Sequence, residues 1–123
     1  MTAEEIVLGG YAAFASGDME SLASIYHPEC KITCNGNHAF SGTYIGFKEF
    51  ADGILSRLND AWPNFNLDIE KVVSNETDVC VFLNVTADGL SSKSIHHFVV
   101  KDELEVEFNF YDDSQLMASA MKI

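Results

Sequence analysis

The side chains best suited to acid–base chemistry lie in the last third of the chain, on segments that alternate like β-strands. Between Leu104 and Tyr111, polar and large apolar side chains alternate strictly, so a strand there carries two rows on opposite faces. The polar row is Glu105, Glu107, Asn109 and Tyr111, and the apolar row is Leu104, Val106, Phe108 and Phe110. The polar row could line a cavity, whereas the large rings of the apolar row must meet a core or a second subunit.

A histidine on the preceding strand-like segment could act as a base. One face of that segment carries Ser94, His96, Phe98 and Val100. Beside Asn109 or Glu107, the imidazole of His96 would be oriented by a carboxylate that raises its pKa, so it could accept a proton. Two alternatives stay open. His96 could be held in a polar patch without a catalytic role, and the polar row could be solvated while the aromatic row forms the core.

Several further residues are expected to line such a cavity. Val81, Leu83 and Val85 alternate on a central strand and should form an apolar wall. Cys34 has no histidine at a motif spacing, so an inert buried thiol is expected there rather than a nucleophile. Tyr11 is more typical of a core aromatic with a satisfied hydroxyl than of an acid.

The charge of the chain limits its possible partners, and its cysteines indicate the cellular compartment. With 19 acidic and seven basic residues, the chain carries a formal charge of −12, so nucleic acid and anionic membrane are not expected to bind. The acidic start lacks the pattern of a secretion signal, and an odd number of cysteines fits a reducing compartment. We therefore expect a cytoplasmic protein. No ligand spacing predicts a zinc site, and we expect neither a metal nor a cofactor.

The hydrophobic pattern predicts helices first and strands afterwards. Helices are predicted over 3–16, from 19 after an Asp18 cap, and over 47–60. Strands are predicted over 30–35, 65–74, 78–87, 93–101 and 103–112, and residues 114–121 could form a short helix or a tail. This order predicts one α+β domain over residues 1–123, in which the helices lie on one face of an antiparallel sheet.

These elements carry a series of motifs that resembles the nuclear transport factor 2-like superfamily, and within it the branch of SnoaL-like polyketide cyclases and ketosteroid isomerases. The matching residues are Tyr11–Asp18, Leu22, Tyr26, Pro28-Glu29, Ser41–Thr43, Gly46, Phe47–Phe50, His97–Val100 and Glu107–Asp112. The resemblance implies a conical α+β barrel, usually dimeric, with an apolar pocket between the concave sheet face and three helices from the N-terminal half. Enzymes of this family use carboxylates and a tyrosine to remove a proton next to a carbonyl.

The resemblance also shows where this chain departs from its family. The isomerase tyrosine falls on Gly10, the base aspartate on Cys34, the protonated aspartate on His96, and the cyclase aspartate on Asn109. None of the four positions keeps the family's catalytic residue. Steroid isomerisation is therefore not expected.

On this resemblance the polar row faces the cavity and the aromatic row forms a dimer interface on the outer face. The predicted catalytic residues are His96 and Glu107. The predicted ligand-binding residues are Asn109, Tyr111, Cys34, Tyr11, Val81, Leu83, Val85 and Phe98. We expect a pocket for a small carbonyl-containing or aromatic metabolite, with proton transfer of the isomerase, cyclase or dehydratase kind. The alternative is a ligand-binding or dimerisation module without turnover.

Overall fold

A computed structural model describes residues 1–123 as helices packed on one face of a six-stranded sheet. The helices are α1 (Ala3–Ser16), α2 (Met19–Ser24), α3 (Gly46–Gly53), α4 (Leu58–Ala61) and α5 (Ser114–Ala120), with a 3₁₀ turn at Leu55–Arg57. The strands are β1 (Tyr26–Cys34), β2 (Gly42–Ile45), β3 (Asn66–Ser74), β4 (Asp78–Ala87), β5 (Leu90–Lys101) and β6 (Leu104–Asp112). The predicted α+β class is confirmed.

The first helix has the predicted bounds because both of its ends are specified locally. The Thr2 hydroxyl accepts a hydrogen bond from the Glu5 amide, and the Glu5 carboxylate accepts one from the Thr2 amide, which forms a capping box. Gly17 ends the helix with φ at 75°, a conformation that glycine adopts without steric cost. The Asp18 side chain then accepts from the Ser21 amide and caps α2.

The single helix predicted over 47–60 is instead broken into α3, the 3₁₀ turn and α4. The break follows Gly53, where a Cβ would lie 2.6 Å from the ring of Tyr44. Ile54 leaves helical geometry at φ −119°. The tyrosine ring therefore occupies the space beside the chain at the point where α3 ends. The predicted break at Trp62 is confirmed.

The sheet has the order β2-β1-β6-β5-β4-β3 and is curved but not closed. It is not wholly antiparallel as predicted, because β1 and β6 pair in parallel. The sequence also missed β2, which pairs with the end of β1. Residues 114–121 form helix α5 rather than a tail.

The apolar core lies between the concave sheet face and the helices. Strand β4 shows the pattern most clearly, since Val79, Val81, Leu83 and Val85 are buried while the residues between them are partly exposed. Helix α1 packs against β4 and β5, and α3 packs against β1. None of the helices combines the length and apolar character needed to cross a membrane.

Candidate functional site

The concave face and the helices enclose an apolar cavity. It offers about 90 Å³ to the centre of a water-sized sphere, several times the roughly 10–15 Å³ that one water needs on this measure. Nineteen of its 23 lining residues are hydrophobic. Aromatic side chains form much of the wall: Tyr11, Phe14, Tyr26, Phe40, Phe50, Trp62, Phe65, Phe98, Phe108 and Phe110. The polar exceptions are His96, Glu105 and Asp112, and the space has the character of a small-molecule pocket.

A β-bulge at Val106 decides which side chains of β6 reach this cavity. Glu105 pairs with Val100 and Glu107 with the adjacent Val99, so Val106 is an extra residue in the ladder. A bulge of this kind shifts the inside–outside alternation by one position. Before it, Glu105 faces inward; after it, the inward residues are Phe108, Phe110 and Asp112.

The predicted orientation of the polar row is therefore wrong for three of its four members. Glu107 and Tyr111 are exposed, and Asn109 lies on the outer face beside His97. The predicted outer position of Phe108 and Phe110 is wrong for the same reason, because both rings line the cavity. A regular strand was assumed, and the strict alternation in the sequence gives no sign of the extra residue.

His96 does face the cavity, and its ring is fixed by a tyrosine from the first helix. The Tyr11 hydroxyl lies 2.7 Å from His96 Nδ1, and the rings of Phe108 and Phe110 lie 5.1 and 5.0 Å from the imidazole centre. This burial lowers the pKa of His96 to about 3, so the ring is neutral at neutral pH. The expectation that a carboxylate raises its pKa is wrong, because desolvation prevails. A Tyr11 hydroxyl that donates to Nδ1 leaves the single ring proton on Nε2.

That Nε2 atom faces the carboxyl group of Asp112, which the sequence reasoning did not select. The Nε2–Oδ1 distance is 3.8 Å, too long for a hydrogen bond, and a neutral imidazole does not form a salt bridge with it. The Ser94 hydroxyl donates to Asp112 Oδ1. Burial raises the pKa of the Asp112 carboxyl, and the Ser94 hydrogen bond opposes that rise.

The backbone of Asp112 is held by Asn35, at the end of β1. The Asn35 Nδ2 group donates to the Asp112 carbonyl at 2.9 Å, and Asn35 Oδ1 accepts from the Asp112 amide at 3.1 Å. This pair of bonds fixes the carboxyl group at the end of the cavity. Asp112 is two positions after Phe110 and four after Phe108, so all three lie on the same face of the strand. The alternation would have predicted that Asp112 faces the cavity if the inward orientation of Phe108 had been known.

The remaining predicted residues divide between cavity wall and core. Tyr11, Cys34, Val85 and Phe98 line the cavity. Val81 and Leu83 have the predicted inward orientation but are buried beneath helix α1 and do not reach the cavity. Burial, with Asp112 nearby, raises the pKa of the Cys34 thiol to about 12, so the group is protonated and a poor nucleophile.

The outer face of the same strands is a different environment. His97 Nε2 lies 2.8 Å from Asp78 Oδ1, and Asn109 Nδ2 lies 3.3 Å from His97 Nδ1. One row across three strands is apolar: Tyr111, Ile95 and Phe82 are paired in register. No group of three or more His, Cys, Asp or Glu side chains is arranged to hold a metal ion.

Comparison with known proteins agrees with this architecture. A profile of the SnoaL-like domain family matches residues 7–108, and the chain belongs to that family. A search of curated protein sequences gives no match.

Solved structures resemble the whole chain. An NTF2-like protein from Burkholderia thailandensis is 22% identical, with a TM-score of 0.87 over 98% of this chain and 97% of that one. TerC, co-crystallised with polyporic acid, is 20% identical, with a TM-score of 0.80 over 92% and 95%. A candidate polyketide cyclase from Sinorhizobium meliloti is 14% identical, with a TM-score of 0.73 over 86% and 93%. At these identities the likeness establishes the fold alone.

Proposed function

We propose that this SnoaL-like domain, spanning residues 1–123, catalyses proton transfer on a small carbonyl-containing or aromatic metabolite in its cavity. The observation that carries the proposal is the placement of His96 and Asp112, whose facing atoms are 3.8 Å apart in a mostly apolar cavity. Tyr11 fixes the ring from the other side. A hydrogen-bond donor and a carboxylate side by side are what enolisation requires.

The proposed roles follow from the electrostatics of the two groups. The Asp112 carboxylate removes a proton from the carbon next to the substrate carbonyl, and the C–H electron pair becomes the C=C bond of an enolate. His96 Nε2–H donates to the oxygen on which the negative charge develops. A pKa of about 3 makes the imidazole a weak base, whereas burial makes the carboxylate a stronger one. Return of the proton from the Asp112 carboxyl to another carbon completes an isomerisation. Donation of that proton to a β-hydroxyl, whose C–O bond breaks as the enolate collapses, releases water and completes a dehydration.

The test is proton exchange in deuterated water with simple ketones such as acetophenone and 2-tetralone, followed by NMR. Asp112→Asn should lower the exchange rate by about two to four orders of magnitude. Glu107→Gln is the matched control, because it makes the same change on the outer face of the same strand and should leave the rate unchanged. Exchange by Asp112→Asn at the wild-type rate would contradict the proposal.

A second candidate is a ligand-binding module without turnover. It is favoured by the weak basicity of His96 and by the replacement of the family's catalytic residues at Gly10 and Cys34. Binding of the ketones without catalysed exchange would support it. In that case Asp112→Asn should cost only one hydrogen bond's worth of affinity, about tenfold.

We further propose that the protein is a cytoplasmic homodimer that associates through the outer sheet face. The support is the apolar row of Tyr111, Ile95 and Phe82, of which Tyr111 is 58% exposed. Phe108 and Phe110 do not belong to this interface. Ile95→Glu should dissociate the dimer, because a charge would be buried against the partner. Sedimentation of the wild-type protein as a monomer at high micromolar concentration would contradict the dimer.

A further inference from the structure

A second acidic side chain lies in the cavity wall, away from His96 and Asp112. Glu105 is 1% exposed, and its Oε1 atom has no hydrogen-bond partner. The other oxygen, Oε2, lies 3.9 Å from where a Cβ on Gly10 of helix α1 would be. A buried polar atom without a partner costs about 1–3 kcal/mol, so this unpartnered oxygen in a ligand-sized cavity calls for an explanation.

The backbone around Glu105 holds it in this position. Its amide donates to the Ile25 carbonyl at 2.7 Å, and the bulge at Val106 allows it to share the inner face with Phe108. Burial raises the pKa of the Glu105 carboxyl well above its ordinary value, and a hydrogen bond with the Tyr26 hydroxyl opposes that rise. Burial therefore favours the neutral acid, which has one hydroxyl to donate and a carbonyl oxygen to accept.

No cation balances the carboxyl groups of this cavity. None of the seven lysines and arginines lines it. Arg57, which lies over the ring of Phe40 at 5.1 Å, is not among the lining residues. A carboxylate or phosphate on a ligand would be desolvated here beside Glu105 and Asp112 without an opposite charge, which is strongly unfavourable.

We propose that Glu105 is a second polar anchor of the cavity, and that the ligand is an uncharged molecule with an oxygen group at each end. One end binds at His96 and Asp112, the other binds at Glu105, and the apolar middle packs on the aromatic wall. Glu105 and Asp112 are separated by roughly 20 Å of backbone along β6. Once the two side chains and their hydrogen bonds are allowed for, about two aromatic rings fit between them. This inference rests on the proposed function of the His96–Asp112 end.

Three biphenyl probes test it by isothermal titration calorimetry at neutral pH. The first carries a hydroxyl at each end, the second a hydroxyl at one end only, and the third a hydroxyl at one end and a carboxylate at the other. The doubly hydroxylated probe should bind wild-type protein about tenfold more tightly than the singly hydroxylated one, as expected for one added hydrogen bond. The carboxylate probe should bind more weakly than both.

Two variants assign the difference to Glu105. Glu105→Met should remove the tenfold advantage of the doubly hydroxylated probe, because the second hydroxyl then has no hydrogen-bond partner. Glu105→Gln keeps a donor and an acceptor and should restore part of the advantage. Circular dichroism confirms that each variant is folded, and quenching of Trp62, the one tryptophan in the chain and a wall residue, confirms that the probe is in the cavity.

The possible failures are distinguishable. Equal binding of the two neutral probes, or an advantage that persists in Glu105→Met, overturns the second anchor and leaves the proposed function intact. Tightest binding of the carboxylate probe overturns the uncharged ligand class. Absence of binding by all three overturns the ligand class together with the pocket function on which it rests.

Discussion

His96 and His97 are neighbours in the sequence, yet they lie in opposite environments. His96 is buried among aromatic rings, is neutral, and bonds to Tyr11. His97 is partly exposed and pairs with Asp78, whose pKa the histidine hydrogen bond lowers. The comparison shows that the two faces of one strand place identical side chains in a buried cavity and at the protein surface. Orientation, more than residue type, decides which polar residue faces the cavity.

The largest effect is expected from a deletion that changes the phase of β6. Removing Asn109 would place Phe110 and Asp112 on the outer face, so the core and the Asn35 bonds would be lost and the domain should not fold. Removing Val106 only converts the bulge to a regular ladder and keeps Glu105, Phe108 and Asp112 inward. The second deletion should therefore give a folded protein, as measured by circular dichroism and urea denaturation. Equal tolerance of both deletions would contradict the inside–outside assignment.

Single side-chain truncations on the two faces should also differ. Phe108→Ala removes a buried ring and should lower the free energy of unfolding by about 3–5 kcal/mol. Asn109→Ala, the adjacent change on the outer face, should cost less than about 1 kcal/mol. Urea denaturation measures both values. A smaller loss for Phe108 than for Asn109 would reverse the assignment of the two faces.

Acid should destabilise the domain through His96. The folded pKa of about 3 lies below the ordinary value of about 6.5, so between these values the unfolded chain binds a proton that the folded protein does not. The stability that comes from keeping His96 neutral in the folded protein is fully present above pH 6.5 and is lost as pH falls. Between the two pKa values the free energy of unfolding decreases by about 1.4 kcal/mol per pH unit.

Glu105 and Asp112, whose pKa values are raised, act in the opposite direction over part of this range. The measured quantity is therefore the difference in free energy of unfolding between wild-type protein and His96→Leu, from about pH 6 to about pH 4. Tyr11→Phe keeps the titrating ring and should keep the slope. A difference that does not change with pH would exclude a neutral buried His96.

The smallest effect is expected on the outer face. Asp78→Asn removes the exposed carboxylate that pairs with His97, and such surface pairs contribute about 0–1 kcal/mol. Thermal unfolding should therefore shift by no more than a few degrees. A loss comparable to that of Phe108→Ala would contradict the assignment of this pair to the protein surface.

The sequence was sufficient where local chemistry determines structure. The capping box at Thr2 and Gly17 define α1, and the alternation of Val79 to Val85 defines the inner face of β4. It was insufficient where a contact between distant segments determines the local structure. The ring of Tyr44 packs against Gly53 where α3 ends, and the parallel pairing of β1 with β6 depends on the topology of the sheet.

The same division holds for the site. The inward orientation of His96 was predicted correctly because strand β5 is regular between the turn that precedes it and His96. The inward orientation of Asp112 was missed because an extra residue at Val106 reverses the alternation. A bulge arises from pairing with a neighbouring strand and leaves no mark in the pattern of one segment.

The bulge at Val106 has a consequence for evolutionary comparison. The bulge reverses the inside–outside alternation along the strand. Two residues that are an even number of positions apart across it therefore lie on opposite faces of the sheet. A relative without the bulge, aligned column by column, would have its cavity residue matched to a surface residue here. Catalytic positions on the last strand of such proteins are better counted from the end that Asn35 holds than from the turn at Asp102.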